Sequence, residues 1–493
     1  MTSVRRRVVS RLAAVTLTPG LLVAGAVVGA GPAAAEDGST GRGGATATLN
    51  GQKTSGQAVV HKDGKEVTTG AGLFEMSVDD GGMLQVYGVD VHNPVQKLAR
   101  YEEVPRSASS LHDNRHAGKI RWVLRHSYPQ VNDLAKLAKI SDAGRLTPST
   151  AAAGTQVAIW RFTDEARVEA VDPAAEKLAD YLERKAKNTP EPNASLTLSK
   201  PAVAGEAGEL FGPITVRTTA PSVTIVPGAE ASSLDVDVVG ADGEPITTAR
   251  DGSKLYFDVP EGVDPGSTTL TAQATTSVPV GRVFTGTGEH ATSPTILAGS
   301  SPAMVSATAR ANWADSGAIP AVNGRKNCAE SGVDVTTTNK GDGPFRFSLG
   351  GEDYEIAPGE TRTLTVPVRE DQPYEINVAG TGGFDRTFSG ILDCQPSGAE
   401  EDGSGLAPQT GEQSGDSSVS TATTGGEPDD VNLAETGNSS NTPLIVGVAV
   451  GLLTVGAVAM LLVRRHWSKG GEGGSETEEA QSEAAPEPVD GAD

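Results

Sequence analysis

From residue 194 to residue 394 the chain consists of short runs in which apolar and polar residues alternate, rich in Val and Thr. This pattern constrains the fold more than any other feature. A side-chain period of two suits strands with one buried face and is incompatible with amphipathic helices over the same stretch. Residues 195–198, 214–216, 222–226, 234–238 and 255–259 form a first set of strands, with turns at Asp242-Gly243 and Asp251-Gly252. They predict an all-β, Ig-like sandwich over 194–312. Residues 333–336, 345–349, 363–368 and 374–378 predict a second such domain over 313–396. Cys328 precedes that second set and Cys394 follows it, and they are the only cysteines in the chain. A bridge between them would tie the two ends of the domain together and stabilise it by about 4 kcal/mol in the loop-entropy account. An exported pair bracketing a small domain favours that bridge over two free thiols. With no Cys-x-x-Cys and no Cys/His cluster, a structural zinc site is excluded.

The region before residue 194 is of mixed character. Residues 73–78 and 83–87 read as two strands around the turn Asp79-Asp80-Gly81-Gly82. Residues 117–126 and 131–140 carry apolar residues at helical spacing, and 151–162 continues with small and apolar residues. Asp172-Pro173 opens a further helix, with an acid at the N-cap, Pro in the first turn, and Leu178 and Leu182 on one face. An α+β head over 47–193 is the expectation, preceded by a flexible Gly-rich segment over 36–46. Sixty glycines, 30 prolines and only 4% aromatic residues fit modest β-domains plus disordered tracts, not one large enzyme core. A formal net charge of −23 repels phosphate backbones and argues against a nucleic-acid partner.

Both ends carry targeting patterns. Residues 1–11 are basic, 12–31 are mostly apolar, and Ala33-Ala34-Ala35 precedes Glu36, the layout of a cleaved signal peptide over 1–35. Residues 397–442 have little apolar content and read as a disordered stalk. The uncharged run 443–463 is long enough to cross a membrane as a single transmembrane helix. Arg464-Arg465 and an acidic tail to residue 493 follow it, a stop-transfer arrangement with the tail in the cytoplasm.

Just before that run stand Leu433, Ala434, Glu435, Thr436 and Gly437. Pentapeptide, apolar run and arginine pair in this order resemble the sorting signals of sortase substrates in Gram-positive bacteria, with Ala in second place as in the LAxTG variant common in actinobacteria. The resemblance implies two partners, an LAxTG-reading sortase and a cell-wall peptide amine. A transpeptidase cysteine would attack the Thr436 carbonyl, release Gly437 with the apolar run, and pass the acyl group to the amine. The chain would then reside in the cell wall, with residues 443–463 holding its precursor in the membrane. The alternative is a plain single-pass membrane protein.

Thr155-Gln156-Val157-Ala158-Ile159-Trp160 matches the TQxA motif of thioester domains in Gram-positive surface adhesins, and Val86-Tyr87-Gly88-Val89-Asp90 falls where that family carries an aromatic-Cys-x-Asp motif. In that family the cysteine thiol attacks the glutamine carboxamide, expels ammonia and leaves an internal thioester that surface amines open. The resemblance implies a covalent adhesin with Gln156 as acyl donor and Thr155, Ala158 and Trp160 packed around the bond. Here residue 88 is Gly, so the essential sulfur is missing and the thioester is predicted absent. Gln156 is then expected to be a buried polar residue satisfied by backbone groups.

Other candidates carry less. His112 and His116 have metal-ligand spacing for a helix, but Asp113-Asn114 reads as a turn and no third ligand is evident. Asp235 and Asp237 read as the wet face of a strand, not a calcium site. No nucleophile elbow, P-loop or dinucleotide fingerprint is present, so no metal, cofactor or catalytic residue is assigned. The reading that follows is a non-enzymatic surface protein that binds a surface ligand through its head. Its rivals are an active covalent adhesin, should residue 88 be Cys, and a surface enzyme of unrecognised type.

Overall fold

The computed structural model describes residues 43–62, 64–287 and 293–395, together with the backbone of 410–411. The segments expected to be the leader, the sorting pentapeptide Leu433 to Gly437, the membrane run 443–463 and the acidic tail lie outside the described residues, as does the expected stalk apart from 410–411. Among the described residues no helix is long and apolar enough to cross a membrane.

The head is built on a seven-stranded sheet in the order Lys65–Val78, Met83–Gly88, Thr295–Ser300, Val283–Thr287, Arg100–Val104, Thr46–Lys62, Val168–Ala170. Thr46–Lys62 also pairs antiparallel with Lys65–Val78, which closes six of the strands into a ring. Because side chains alternate across a strand, neighbouring residues serve two cores. Leu84 and Val86 join Phe74, Met76 and Leu297 in a core continuous with that of the next domain, whereas Tyr87, Leu73 and Ala298 meet the helices.

Four helices cover the sheet: α1 (Ala117–His126), α2 (Leu134–Ser141), α3 (Pro148–Thr163) and α4 (Pro173–Lys185). Helix α3 is the central one. Its residues from Ala151 to Trp160 are all buried; all but Thr155 and Gln156 are small or apolar, and those two have hydrogen-bond partners inside the head. Thr147 caps it by accepting from the Thr150 N–H while the Thr150 hydroxyl accepts from the Thr147 N–H, and Pro148 occupies the first turn. Gly154 lets α4 approach: a Cβ there would sit 2.4 Å from the Ala175 carbonyl oxygen. Asp172 caps α4 by accepting from the N–H groups of Ala174 and Ala175, as its Asp-Pro opening predicts. Arg161 on α3 ties the two helices through Glu176 at 2.6 Å and Asp180 at 2.9 Å.

The second domain pairs a five-stranded sheet with a four-stranded one, and their inner faces share a single core that includes Leu270, Ile214, Phe257 and Val216. The third domain, with sheets of three and four strands, encloses Val322, Val335, Phe345, Ile356 and Phe388. Cys328 and Cys394 are bridged, with sulfurs 1.99 Å apart. Lys326 anchors this domain to the head, its Nζ lying 3.1 Å from Glu102 Oε1.

Three sequence expectations change, and one unassigned stretch gains an element. The head is discontinuous: Val283–Thr287 and Thr295–Ser300, read as part of the 194–312 sandwich, are strands of the head sheet. Both are short runs buried at nearly every residue, and nothing local in such a run tells which sheet it joins. Within the segment read as flexible over 36–46, the described residues 43–46 are ordered. Gly44 exchanges backbone hydrogen bonds with Ser306 at 2.8 and 3.1 Å, and a Cβ on Gly43 would lie 2.3 Å from that of Ala307. Glycines that read as looseness therefore mark a close approach. The expected strand over 234–238 is interrupted, since Asp235 is left-handed at φ 52° and the strand is Asp237–Val239. Residues 151–162 form most of one long helix, whose lack of a polar face hides its periodicity.

Candidate functional site

Gln156 and Gly88, 68 residues apart in sequence, meet inside the head. The Gly88 N–H donates to Gln156 Oε1 at 3.0 Å, and Gln156 Nε2 donates to the Gly88 carbonyl at 2.9 Å. Strand register explains why this backbone is available. Lys65–Val78 and Met83–Gly88 pair from Ser77–Met83 to Phe74–Val86, and the ladder ends there. On its other side Gly88 stands opposite Thr295. In an antiparallel strand the N–H and C=O of one residue point to the same side, so Gly88 turns both toward the edge that Lys65–Val78 has left. The Gln156 carboxamide replaces the missing strand. Its side chain is fully buried, and the pairing satisfies one of its donors, its acceptor and both backbone groups.

The neighbouring motif residues hold α3 in place. Thr155 Oγ1 donates to the Ala151 carbonyl at 2.7 Å and lies 2.6 Å from Ser127 Oγ. Tyr87 donates its hydroxyl to the Tyr128 carbonyl at 2.8 Å, and burial pushes its pKa above the ordinary phenol range, with Thr155 opposing. Ala158 and Trp160 are fully buried in the helix-side core, and the Trp160 Nε1–H has no hydrogen-bond acceptor among the described residues. These contacts fix a carboxamide but supply no sulfur. Both cysteines of the chain are in the disulfide, so no thiol is present to displace ammonia from Gln156.

Two acids bind the backbone that follows the Gly88 strand. Asp90 Oδ1 accepts from the His92 N–H at 2.7 Å, and Asp164, just beyond α3, accepts from the Val91 N–H at 3.0 Å. Burial, reinforced by the charge of Asp90, holds the Asp164 carboxyl well above its ordinary range against the hydrogen bonds from Val91 and Thr163.

The histidines do not converge with other ligands. His116 stands at the N-cap of α1 beside Phe162, and burial, Lys119 and Arg115 lower its pKa against Glu165. His112 lies 3.9 Å from Asp113. Asp235 and Asp237 are exposed. A cavity of about 110 Å³ lies elsewhere, lined in part by Glu102, Glu103 and Lys326, whose charges are already paired with one another or with Arg282.

One group escaped the sequence reading, which assigned no metal ligands. Glu370, Asp371 and Asp393 bring carboxylate oxygens within 4.8 Å of one another. Glu370 and Asp371 lie in the turn after Thr361–Pro367, and Asp393 immediately precedes the bridged Cys394. Acids as far apart as Asp371 and Asp393, in a chain with 63 Asp and Glu, leave no local signal of convergence.

Residues 85–188 match the family model of the thioester domain. Among solved structures the chain is similar to the TIE protein of Bacillus anthracis, at 13% identity over 72% of this chain and 81% of that one, with a TM-score of 0.26. It is also similar to the thioester domain of the TIE86 protein of Enterococcus faecium, at 16% identity over 55% of this chain and 97% of that one, again with a TM-score of 0.26. No curated protein matches the chain.

Proposed function

We propose that this chain, which carries a thioester domain over residues 85–188, is a non-enzymatic surface protein held in the cell wall, whose head engages a surface ligand without a covalent bond. The supporting observation is the pairing of Gln156 with Gly88. The carboxamide that would serve as acyl donor is fully buried, hydrogen-bonded to backbone on both of its atoms, and without a thiol. A carboxamide is a poor acyl donor unless a nucleophile is attached beside it. The head in this reading is a thioester scaffold in which the reactive pair has become a structural pair.

Display follows from the two ends of the chain. The leader over 1–35 exports it, and an LAxTG-reading sortase cuts between Thr436 and Gly437 and joins Thr436 to a cell-wall peptide amine. Residues 443–463 hold the precursor in the membrane until that step. Intact mass of the protein released from purified walls tests both halves of the proposal. We expect a polypeptide that begins after the leader and ends at Thr436 with wall peptide attached, no deficit of one ammonia, and no adduct after methylamine treatment. An ammonia deficit that maps to Gln156 would establish a covalent adhesin instead. A chain running on to Asp493 would refute wall anchoring.

A further inference from the structure

We propose that Glu370, Asp371 and Asp393 form a calcium site where the disulfide-closed end of the third domain faces the head. The site is independent of the thioester reading. Its frame is set by backbone. The Glu370 Oε1 accepts from the N–H groups of both Cys394 and Gln395, and the Asp371 N–H donates to the Leu392 carbonyl at 2.8 Å. The turn at Glu370–Asp371 and the segment Leu392–Gln395 are thereby held side by side, next to the disulfide.

Acidic clusters are common on protein surfaces without any ion. What distinguishes this one is that two of its oxygens, Asp393 Oδ2 and Glu370 Oε2, are buried with no donor among the described residues. Asp393 is 6% exposed, and its Oδ2 has no hydrogen-bond partner among the described residues. The Oε2 of Glu370 is likewise buried without one. A buried carboxylate oxygen with no donor carries the full desolvation cost of a charge, unless a cation or a proton sits on it.

The nearby charges make that need sharper. Asp90 of the head adds negative charge to Asp371 and Asp393, while Lys326 and His112 oppose it from the sides. The Lys326 Nζ is itself engaged by Glu102 at 3.1 Å.

The ligand chemistry selects a hard divalent ion. All three donors are carboxylate oxygens, with no sulfur or nitrogen among them. Oxygens on one calcium ion lie about 2.3–2.6 Å from it, so a mutual separation below 4.8 Å fits a shared coordination sphere. Glu370 and Asp371 are only half-buried, which leaves room for water to complete the six to eight ligands that calcium takes.

The test is calorimetric titration of the chelator-stripped full chain with calcium chloride, alongside thermal unfolding with and without the ion. We expect one site, a melting temperature that rises with calcium, and affinity lowered about tenfold or more in Asp393→Asn and in Glu370→Gln. In chelator, Asp393→Asn should melt at or above the native chain, because it removes an unpaired buried charge. In calcium it should melt below. Glu370→Gln retains an oxygen for the two backbone donors and carries the test if Asp393→Asn fails to fold. Absence of any calcium response in the native chain would overturn the proposal. So would a response that both variants retain undiminished, or one given by magnesium alone.

Discussion

Gln156→Glu exchanges one NH2 for oxygen at nearly constant shape, and the Gly88 pairing makes its consequence depend on pH. When protonated, the new carboxyl preserves both bonds, its hydroxyl donating to the Gly88 carbonyl and its other oxygen accepting from the Gly88 N–H. When ionised it has no donor, and it sets a negative oxygen against that carbonyl at a position with no solvent exposure. Burial and the lost bond both favour the protonated form, so the folded-state pKa lies above the unfolded value of about 4.3. A folded state that binds a proton more tightly than the unfolded chain is stable at low pH and loses stability as pH rises past that unfolded value. If the folded chain holds the proton up to neutrality, the loss is about 1.36 kcal/mol for each pH unit above about 4.3, or about 3.7 kcal/mol at pH 7. Urea unfolding of native and variant chains between about pH 4 and about pH 7.5 measures it as a difference. Buried acids common to both chains, such as Asp164 and Asp393, cancel in that difference. A deficit that is flat with pH, or absent at neutrality, would refute the claim that the carboxamide is held by Gly88 in a water-free site.

The other two variants probe the same logic at different places. Gly88→Cys introduces a Cβ on the Cα between the two groups that Gln156 touches, and the residue does not lie in the left-handed region. We expect the purified variant to lose one ammonia and to gain methylamine at Gln156. A folded variant of unchanged mass would mean the pocket no longer supports the reaction. Replacing Cys328 and Cys394 together by Ser opens a closure of 66 residues and should cost about 4 kcal/mol in the chain-entropy account, read as a lower urea midpoint for the third domain. An unchanged midpoint would remove the disulfide from the list of what holds that domain.

Local pattern made some elements legible and left others hidden. The helix at Pro173–Lys185 was readable from Asp172 and Pro173, whose roles at a helix start depend on nothing distant. The tight turn at Gly81-Gly82 was readable for the same reason, both residues adopting φ of 104°. Helix α3 was not, because a helix buried on every side loses the polar face that reveals its period. The pairing of Gln156 with Gly88 was suggested by resemblance to a motif, but its form, a side chain standing in for an absent strand, needed the register.

The sequence by itself determined the alternating β texture, the basic-apolar and apolar-basic patterns of the two ends on which the proposed export and sorting rest, and the one chemical fact at position 88, which is the absence of a sulfur atom. Those are properties of composition and short-range spacing, and no fold can alter them. Only the tertiary structure decided that Val283–Thr287 and Thr295–Ser300 return to the head, and that Gly88 exposes its backbone to Gln156. It also decided that Glu370, Asp371 and Asp393 converge beside Cys394. Such pairings are set by which surfaces the whole chain can bury together, and nothing local in a short buried run tells which sheet it joins.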